Sequence, residues 1–351
     1  MNKKHLHRFL LPFAILSMIA GIWAGWIRAG WDFSFSQLAM HHGGLMVGSF
    51  LGTLIIIERA ITFKNRLILL IPLINALSLP LFFLEFNDAA LMALMAGGLG
   101  IFILFVIISW RHPQFYHFVI TAGALCYLIG SIILFDTHSY PATFRWWMAF
   151  FLLTIVGERL ELSRFLNISS NLKVLLVLFL VLFIVSILLP FHSKAGDYLF
   201  SASLTLTGLW LLRYDMALKS IKKAGQFRYS ASLLIVGYIW LIITAALAIF
   251  AADYIYSYDA TLHAFFIGFV FSMIFAHAPI ILPAVVGVVK KTYHPVLYFW
   301  FIILQISIIM RISGDLAEEP LLRYWSGMVS GIAMIFFFIN MALLLVSKEK
   351  H

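Results

Sequence analysis

Four histidines lie inside apolar stretches of this sequence, where an ionisable side chain is costly and is therefore a candidate for function. They are His41, His42, His263 and His277. The other eight of the twelve histidines fall in tails, loops or at helix ends, where a solvated or interfacial role is the simpler interpretation. His42 and His263 are predicted at a similar depth near the outer ends of two helices. Two neutral imidazoles on facing helices are the ligands that a six-coordinate haem iron takes, so we predict that His42 and His263 bind haem b.

Small residues follow both histidines at intervals of four, which on a helix predicts one smooth face. Gly44, Gly48 and Gly52 follow His42. Ala264, Gly268, Ser272 and Ala276 follow His263. Such a face could receive a flat ligand, but the same pattern also favours close helix packing without any cofactor. We expect the cofactor to contact the residues Met46, Gly44, Gly48 and Gly268.

The remaining two intramembrane histidines have separate predicted roles. His41 lies about 100° around the helix from His42, so we expect it to be an outer-side hydrogen-bonding partner rather than a ligand. His277 lies about 21 Å of helix rise beyond His263 and precedes Pro279, with Pro283 following. We expect these prolines to unwind the inner part of the helix. His277 is then either a partner of the freed backbone groups or the ligand of a second metal or haem, with copper a further candidate.

Four arginines are predicted near the outer face, at the level of this haem. They are Arg28, Arg145, Arg311 and Arg323. A guanidinium is suited to carboxylates, so we expect some of these side chains to contact haem propionates. Ordinary anchoring of arginine at the membrane interface is the alternative.

The composition dictates the elements that position these residues. Of 351 residues, 63% are hydrophobic and only 11% are charged, and the mean hydropathy is +1.01. Soluble domains carry roughly 25% charged residues, so the sequence predicts an all-α polytopic membrane protein. The net charge of +9 comes from short Lys and Arg clusters between apolar runs, which act as topology signals and give no reason to expect nucleic acid. The single cysteine, Cys126, excludes intrachain disulfides.

Twelve apolar segments predict about twelve transmembrane helices in one domain, 1–351, with membrane lipid as the constant partner. The first apolar run begins at Phe9 and continues without a cleavage pattern, so we interpret it as a span rather than a signal peptide. The predicted spans are 9–26, 38–63, 66–86, 88–110, 113–135, 141–162, 172–191, 196–216, 229–252, 258–288, 294–314 and 321–347.

The distribution of basic residues predicts that both termini are cytoplasmic. With twelve spans, only five of the 24 Lys and Arg fall on the outer side, and the other 19 fall inside. The outer five are Arg28, Arg145, Lys194, Arg311 and Arg323. A Glu-Arg pair also recurs 100 residues apart, at Glu58-Arg59 and Glu158-Arg159, which raises the possibility of three four-helix repeats.

Two segments resemble haem-copper oxidase subunit I. His42-Gly43-Gly44-Leu45-Met46 is similar to the His-Gly-x-x-Met of the second helix of that subunit, whose histidine binds the low-spin haem. Thr261-Leu262-His263 is similar to its tenth-helix His-Phe-His segment, of which the second histidine is the other low-spin ligand. The resemblance implies twelve helices in three arcs. Thr261 replaces the high-spin ligand, and the sixth and seventh spans contain no histidines for copper, so the oxygen-reducing binuclear centre is missing.

Leu262-His263-Ala264, with Gly268 and Met273, also resembles the NnrS family of bacterial haem- and copper-associated membrane proteins linked to nitric oxide. This resemblance covers one span and, more loosely, the second span.

Together these features predict a haem-binding protein of the bacterial cytoplasmic (inner) membrane. Its expected role is electron transfer or a response to nitric oxide and respiratory stress, with a cytochrome c or a quinol as electron donor. An enzymatic reaction is not expected. The alternatives are a small-solute or ion transporter, motivated by the proline-containing span and the polar residues Asn75, Gln305 and Asn340, and a scaffold subunit without a ligand.

Overall fold

The computed structural model describes residues 10–190, 193–288, 290 and 292–347. Helices make up almost all of this part of the chain, and no strand occurs in it. The all-α, multi-pass class predicted from composition is therefore confirmed. The predicted start of the first span at Phe9, and the basic residues of both termini, lie outside the described residues.

Nine helical segments within the described ranges are long and apolar enough to cross a membrane. They are Leu11–Arg28, Arg66–Phe83, Asn87–Arg111, Phe115–Thr137, Ser170–Leu188, Gln226–Phe250, Ser257–Val286, Val296–Leu316 and Pro320–Val346. Helices also occupy the three other predicted spans, but two of these carry several charged residues. One is Tyr140–Leu162, which contains Arg145 and Arg159.

Contacts between residues divide the chain into two compact units. Unit 1 contains Met1–Gly157 and Val285–Gly287, and unit 2 contains Glu158–Ala284 and Val288–His351. The prediction of a single domain and that of three four-helix repeats both stay predictions.

In unit 1, several helices pack around the second predicted span, 38–63, which holds His42. The first helix, Leu11–Arg28, packs against the segment that holds His42, and the four helices between Leu70 and Thr137 pack side by side behind that segment. The helical segments are α1 (Leu11–Arg28), a 3₁₀ helix (Ser36–His41), a π-helix (Gly44–Gly52), α2 (Thr53–Ala60), a second 3₁₀ helix (Arg66–Leu69), α3 (Leu70–Ala76), α4 (Ser78–Phe83), α5 (Asn87–Arg111), α6 (Phe115–Thr137) and α7 (Tyr140–Leu162), whose last residues belong to unit 2.

Unit 2 contains the segment that holds His263, which packs between the helices Gln226–Phe250 and Val296–Leu316. Three helices form one packed series, namely Ser170–Leu188, Lys194–Tyr214 and Gln226–Phe250. Val296–Leu316 also pairs with Pro320–Val346. The helical segments are a 3₁₀ helix (Ser163–Phe165), α8 (Ser170–Leu188), α9 (Lys194–Tyr214), α10 (Ala217–Ser220), α11 (Gln226–Phe250), α12 (Ser257–His263), a π-helix (Ala264–Val270), α13 (Phe271–Val286), α14 (Val296–Leu316) and α15 (Pro320–Val346).

The expected unwinding at Pro279 and Pro283 is wrong, because α13 contains both prolines as a continuous helix. Each proline leaves the carbonyl four residues earlier without its usual N–H donor. Side chains replace the two missing donors. The Tyr229 hydroxyl donates to the carbonyl of Phe275 at 3.2 Å, and the Thr292 hydroxyl donates to the carbonyl of Pro279 at 2.8 Å.

Candidate histidine sites

In unit 1, His42 is held against helix α1. Its Nδ1 lies 2.7 Å from the carbonyl oxygen of Gly21. The ring lies over Gly25, where an added Cβ would come within 2.8 Å of His42 Cε1. Met46 contacts the same helix, because a Cβ on Gly21 would lie 2.6 Å from its sulfur. The glycines that make room for His42 and Met46 are therefore those of α1, which the sequence analysis did not single out.

The glycines that follow His42 do not form the predicted smooth face. A Cβ on Gly44 would meet the Tyr140 hydroxyl at 2.5 Å, and one on Gly48 would meet Leu94 at 2.6 Å. The segment is a π-helix with i→i+5 hydrogen bonds, so an interval of four residues does not return to one face. Side chains of different helices fill the space beside these glycines, which favours the packing alternative.

In unit 2, His263 has a closely similar hydrogen bond. Its Nδ1 lies 2.8 Å from the backbone oxygen of Asp259 and 3.3 Å from the carboxylate oxygen Oδ2 of the same residue. Like His42, His263 stands at the start of a π-helical segment. Gly268 in that segment is covered by the Trp240 indole, which an added Cβ would approach to 2.6 Å, so Gly268 also serves close packing.

Two of the four predicted propionate partners belong to an ion-pair cluster beside His263. The Arg311 guanidinium donates to both carboxylate oxygens of Asp259, at 2.7 and 3.0 Å. Arg323 binds Asp315 at 2.7 Å and lies over the Tyr256 ring, 3.4 Å from its centroid. The Arg311 guanidinium also donates to the carbonyl of Arg323 at 3.1 Å. We call the residues Asp259, Arg311, Asp315 and Arg323 the outer ion cluster, after the side of the membrane on which the sequence predicts them.

The outer ion cluster fixes the side chain that faces His263. The Asp315 side chain is completely buried, and those of Asp259 and Arg311 are largely buried. The bidentate contact with Arg311 orients the Asp259 carboxylate, and Asp259 in turn orients the His263 ring. Neither aspartate is among the residues predicted from the sequence. The position of Asp259 inside the predicted span 258–288 was an available signal, because an acidic residue within a span is costly.

The other predicted outer residues belong to unit 1. Arg28 is exposed in the last turn of α1, and Arg145 lies near the Phe144 ring, 6.0 Å from its centroid. Their contact with propionates stays a prediction. His41 stacks on Phe82 with ring centroids 4.5 Å apart. Its Nδ1 has no hydrogen-bond partner among the described residues, so the expected role of this nitrogen in hydrogen bonding is not seen.

His277 lies in a second polar cluster of unit 2. Its Nδ1 bonds the carbonyl of Met273 at 2.6 Å, and its Nε2 lies 2.8 Å from the Arg159 guanidinium. Because a carbonyl accepts and a guanidinium donates, His277 is neutral, with its proton on Nδ1 and its Nε2 accepting. A metal ion at Nε2 would have to displace Arg159. This geometry agrees better with the alternative of a partner for neighbouring polar groups.

Within the described residues, no three His, Cys, Asp or Glu side chains are grouped as metal ligands. A haem needs only axial side chains from the protein, so this finding does not test the His42–His263 pair. Copper binding also stays a prediction.

The helical segments and their composition define the class of this chain, which is a multi-pass, all-α membrane protein with paired ionisable groups inside its helices. It belongs to the family described as domain of unknown function DUF8744, whose model matches residues 7–346. No curated protein matches the sequence.

Proposed function

We propose that this chain binds b-type haem through His42 and His263 in the bacterial cytoplasmic membrane. Its role is the transfer of single electrons or a response to nitric oxide and respiratory stress, without an oxygen-reducing centre. The proposal includes twelve membrane crossings with both termini inside. A cytochrome c or a quinol is the proposed electron donor.

The observation that carries this proposal is that both imidazoles are hydrogen-bonded through Nδ1 to a backbone carbonyl oxygen. A carbonyl oxygen can only accept, so the contacts with Gly21 and Asp259 place a proton on Nδ1 of both rings. In a neutral ring the lone pair is then on Nε2. Histidines that bind metals are usually oriented in this way, by donation from the other ring nitrogen to a carbonyl or carboxylate. A π-helical segment next to each ring gives further support, since π-helices are frequent at functional sites.

The chain's own residues have defined roles in this proposal. His42 and His263 would hold the haem through their ring nitrogens, and the haem would supply a one-electron carrier. The carboxylate of Asp259 beside His263 would increase the basicity of that ligand and favour the oxidised state. The proposed propionate partners are among Arg28, Arg145, Arg311 and Arg323, of which Arg311 and Arg323 also bind aspartates.

The test is the visible spectrum of protein produced with haem supplied. The wild type should show a low-spin spectrum and bind carbon monoxide poorly, because both axial positions are filled. His42→Ala or His263→Ala should open one position and give ready carbon monoxide binding, or lose haem. His277→Ala and the exposed loop variant His112→Ala should keep the wild-type spectrum. A wild type without haem, or a His263→Ala protein with an unchanged spectrum, would overturn the proposal.

A second candidate function is ion or small-solute transport, favoured by the two charged clusters of unit 2. Asp259 of the outer ion cluster lies at the start of the segment Ser257–Val286, and His277, which bonds Arg159 of α7, lies further along the same segment. Paired ionisable groups inside spans often mark ion pathways.

The polar residues that first suggested transport have other partners. Asn75 bonds neighbouring helices, Gln305 accepts from Trp240, and Asn340 donates to its own helix. Transport is tested by ion flux into liposomes that contain the purified protein. Flux that is lost on Arg159→Gln, in protein that lacks haem, would favour the transporter.

A further inference from the structure

The π-helix that follows His42 is contacted by buried polar side chains from two other helices. Asn75 of α3 donates through Nδ2 to the carbonyl oxygen of Gly48 at 3.0 Å and to the Thr53 hydroxyl at 2.8 Å. The Tyr127 hydroxyl of α6 lies 3.3 Å from the same Gly48 carbonyl and 3.2 Å from Asn75 Oδ1. Asn75 and Tyr127 are both fully buried.

These contacts are aimed at the backbone of the π-helix. Gly48 lies in the middle of Gly44–Gly52, and Gly52 at its end makes room for Tyr127, whose hydroxyl an added Cβ would approach to 2.5 Å. A second contact lies beside the first, since the hydroxyls of Ser49 and Ser78 are 2.7 Å apart and Ser78 donates to the carbonyl of Asn75. The polar groups of Asn75 are thus used to bind one specific backbone conformation.

The hydrogen-bond register of this segment determines the direction of His42. An i→i+5 ring contains one residue more than an i→i+4 ring. If Gly44–Gly52 changed to α-helix, the residues before it would turn by about one residue, or about 100°, relative to α2. His42 would then leave the Gly21 carbonyl and the space over Gly25.

We propose that Asn75 and Tyr127 are positioning residues for His42, which act by holding Gly44–Gly52 in the π-helical conformation. The effect of this conformation on the haem rests on the proposed function. The stabilisation of the π-helix by Asn75 and Tyr127 is independent of the proposed function and can be measured separately.

The decisive variants are Asn75→Leu and Tyr127→Phe. The matched control is Asn340→Leu, an intramembrane asparagine whose amide bonds only its own helix. Gly208→Ala, which would crowd Ile242 in unit 2, is a control for a general loss of stability. Hydrogen exchange of the Gly44–Gly52 amides, measured by mass spectrometry, should be faster on the order of tenfold in Asn75→Leu and less so in Tyr127→Phe. Both controls should exchange at the wild-type rate in this segment.

The second readout is the haem spectrum and its midpoint potential. Asn75→Leu should lose the low-spin spectrum or shift the potential, whereas Asn340→Leu and Gly208→Ala should keep both. Unchanged exchange in Asn75→Leu would overturn the hold on the helix. Faster exchange with an unchanged spectrum and potential would overturn the positioning of His42. A wild type without haem would remove the proposed function and this role of His42, while the exchange rates would still decide whether Asn75 and Tyr127 hold the helix.

Discussion

At the scale of single residues, hydrogen bonding rather than position separates the four intramembrane histidines. His42 and His263 each donate from Nδ1 to a backbone carbonyl, which in a neutral ring leaves Nε2 as the nitrogen that can bind a metal. His277 shares this donation, but its other nitrogen accepts from Arg159. His41 stacks on Phe82. Sequence spacing identified all four residues but could not assign their partners, because those partners lie on other turns and other helices.

The outer ion cluster gives a prediction about stability. Arg311→Gln should lower the free energy of unfolding by about 3 kcal/mol, because it leaves Asp259 and the completely buried Asp315 without their shared cation. Thermal unfolding in detergent measures this change. The exposed variant Arg66→Gln is the control and should unfold as the wild type does. Equal stability of Arg311→Gln and Arg66→Gln would show that the cluster does not compensate the buried charge.

At the scale of elements, the sequence predicted where helices occur but not their internal geometry. Long apolar segments bounded by polar residues indicated the long helices within the described ranges, but not the short segments Ser163–Phe165 and Ala217–Ser220. The π-helices at Gly44–Gly52 and Ala264–Val270 were not predictable in this way, because the extra residue is held by contacts from other helices. An interval of four residues predicts one face only if the helix is α.

The two prolines of α13 allow a test of backbone compensation. Thr292→Val removes the donor to the Pro279 carbonyl and should cost about 1 kcal/mol of unfolding free energy. Adding Pro283→Ala should recover this loss, because alanine restores the N–H that bonds the same carbonyl. The double variant, compared with each single variant by thermal unfolding, checks the coupling. If the changes in unfolding free energy of the two single variants simply added in the double variant, the Thr292 hydroxyl would not be replacing the N–H that Pro283 lacks.

At the scale of the whole molecule, the charge distribution predicts the topology. Reporters fused after Asp88, His138, Ala195 and Asp259 should be located outside, and those fused after Lys64, Arg111, Lys222 and Lys291 should be located inside. The insertion machinery responds to Lys and Arg in short loops, and 19 of the 24 such residues fall on the predicted inner side. A reporter on the wrong side at any of these eight sites would show an error in the number of crossings.

Composition alone was sufficient for the class of fold, since 63% hydrophobic residues leave no soluble alternative. The candidate sites were only partly predictable. His42, His263 and Met46 were identified by type and spacing, whereas Asp259 and Asn75 became important only when their partners across the fold were known. Such partners lie far apart in sequence, and no local pattern contains them.

The π-helices also have a consequence for variation in chain length. A π-helical segment accommodates one residue more than an α-helix with the same ends, so deleting one residue from Gly44–Gly52 would leave the α-helical turns on both sides in their present directions. The same deletion within α5 would rotate every residue on one side of it by about 100° and misplace a whole packed face. Single-residue length differences among members of this family are therefore expected within Gly44–Gly52 and Ala264–Val270, and not within the long α-helices.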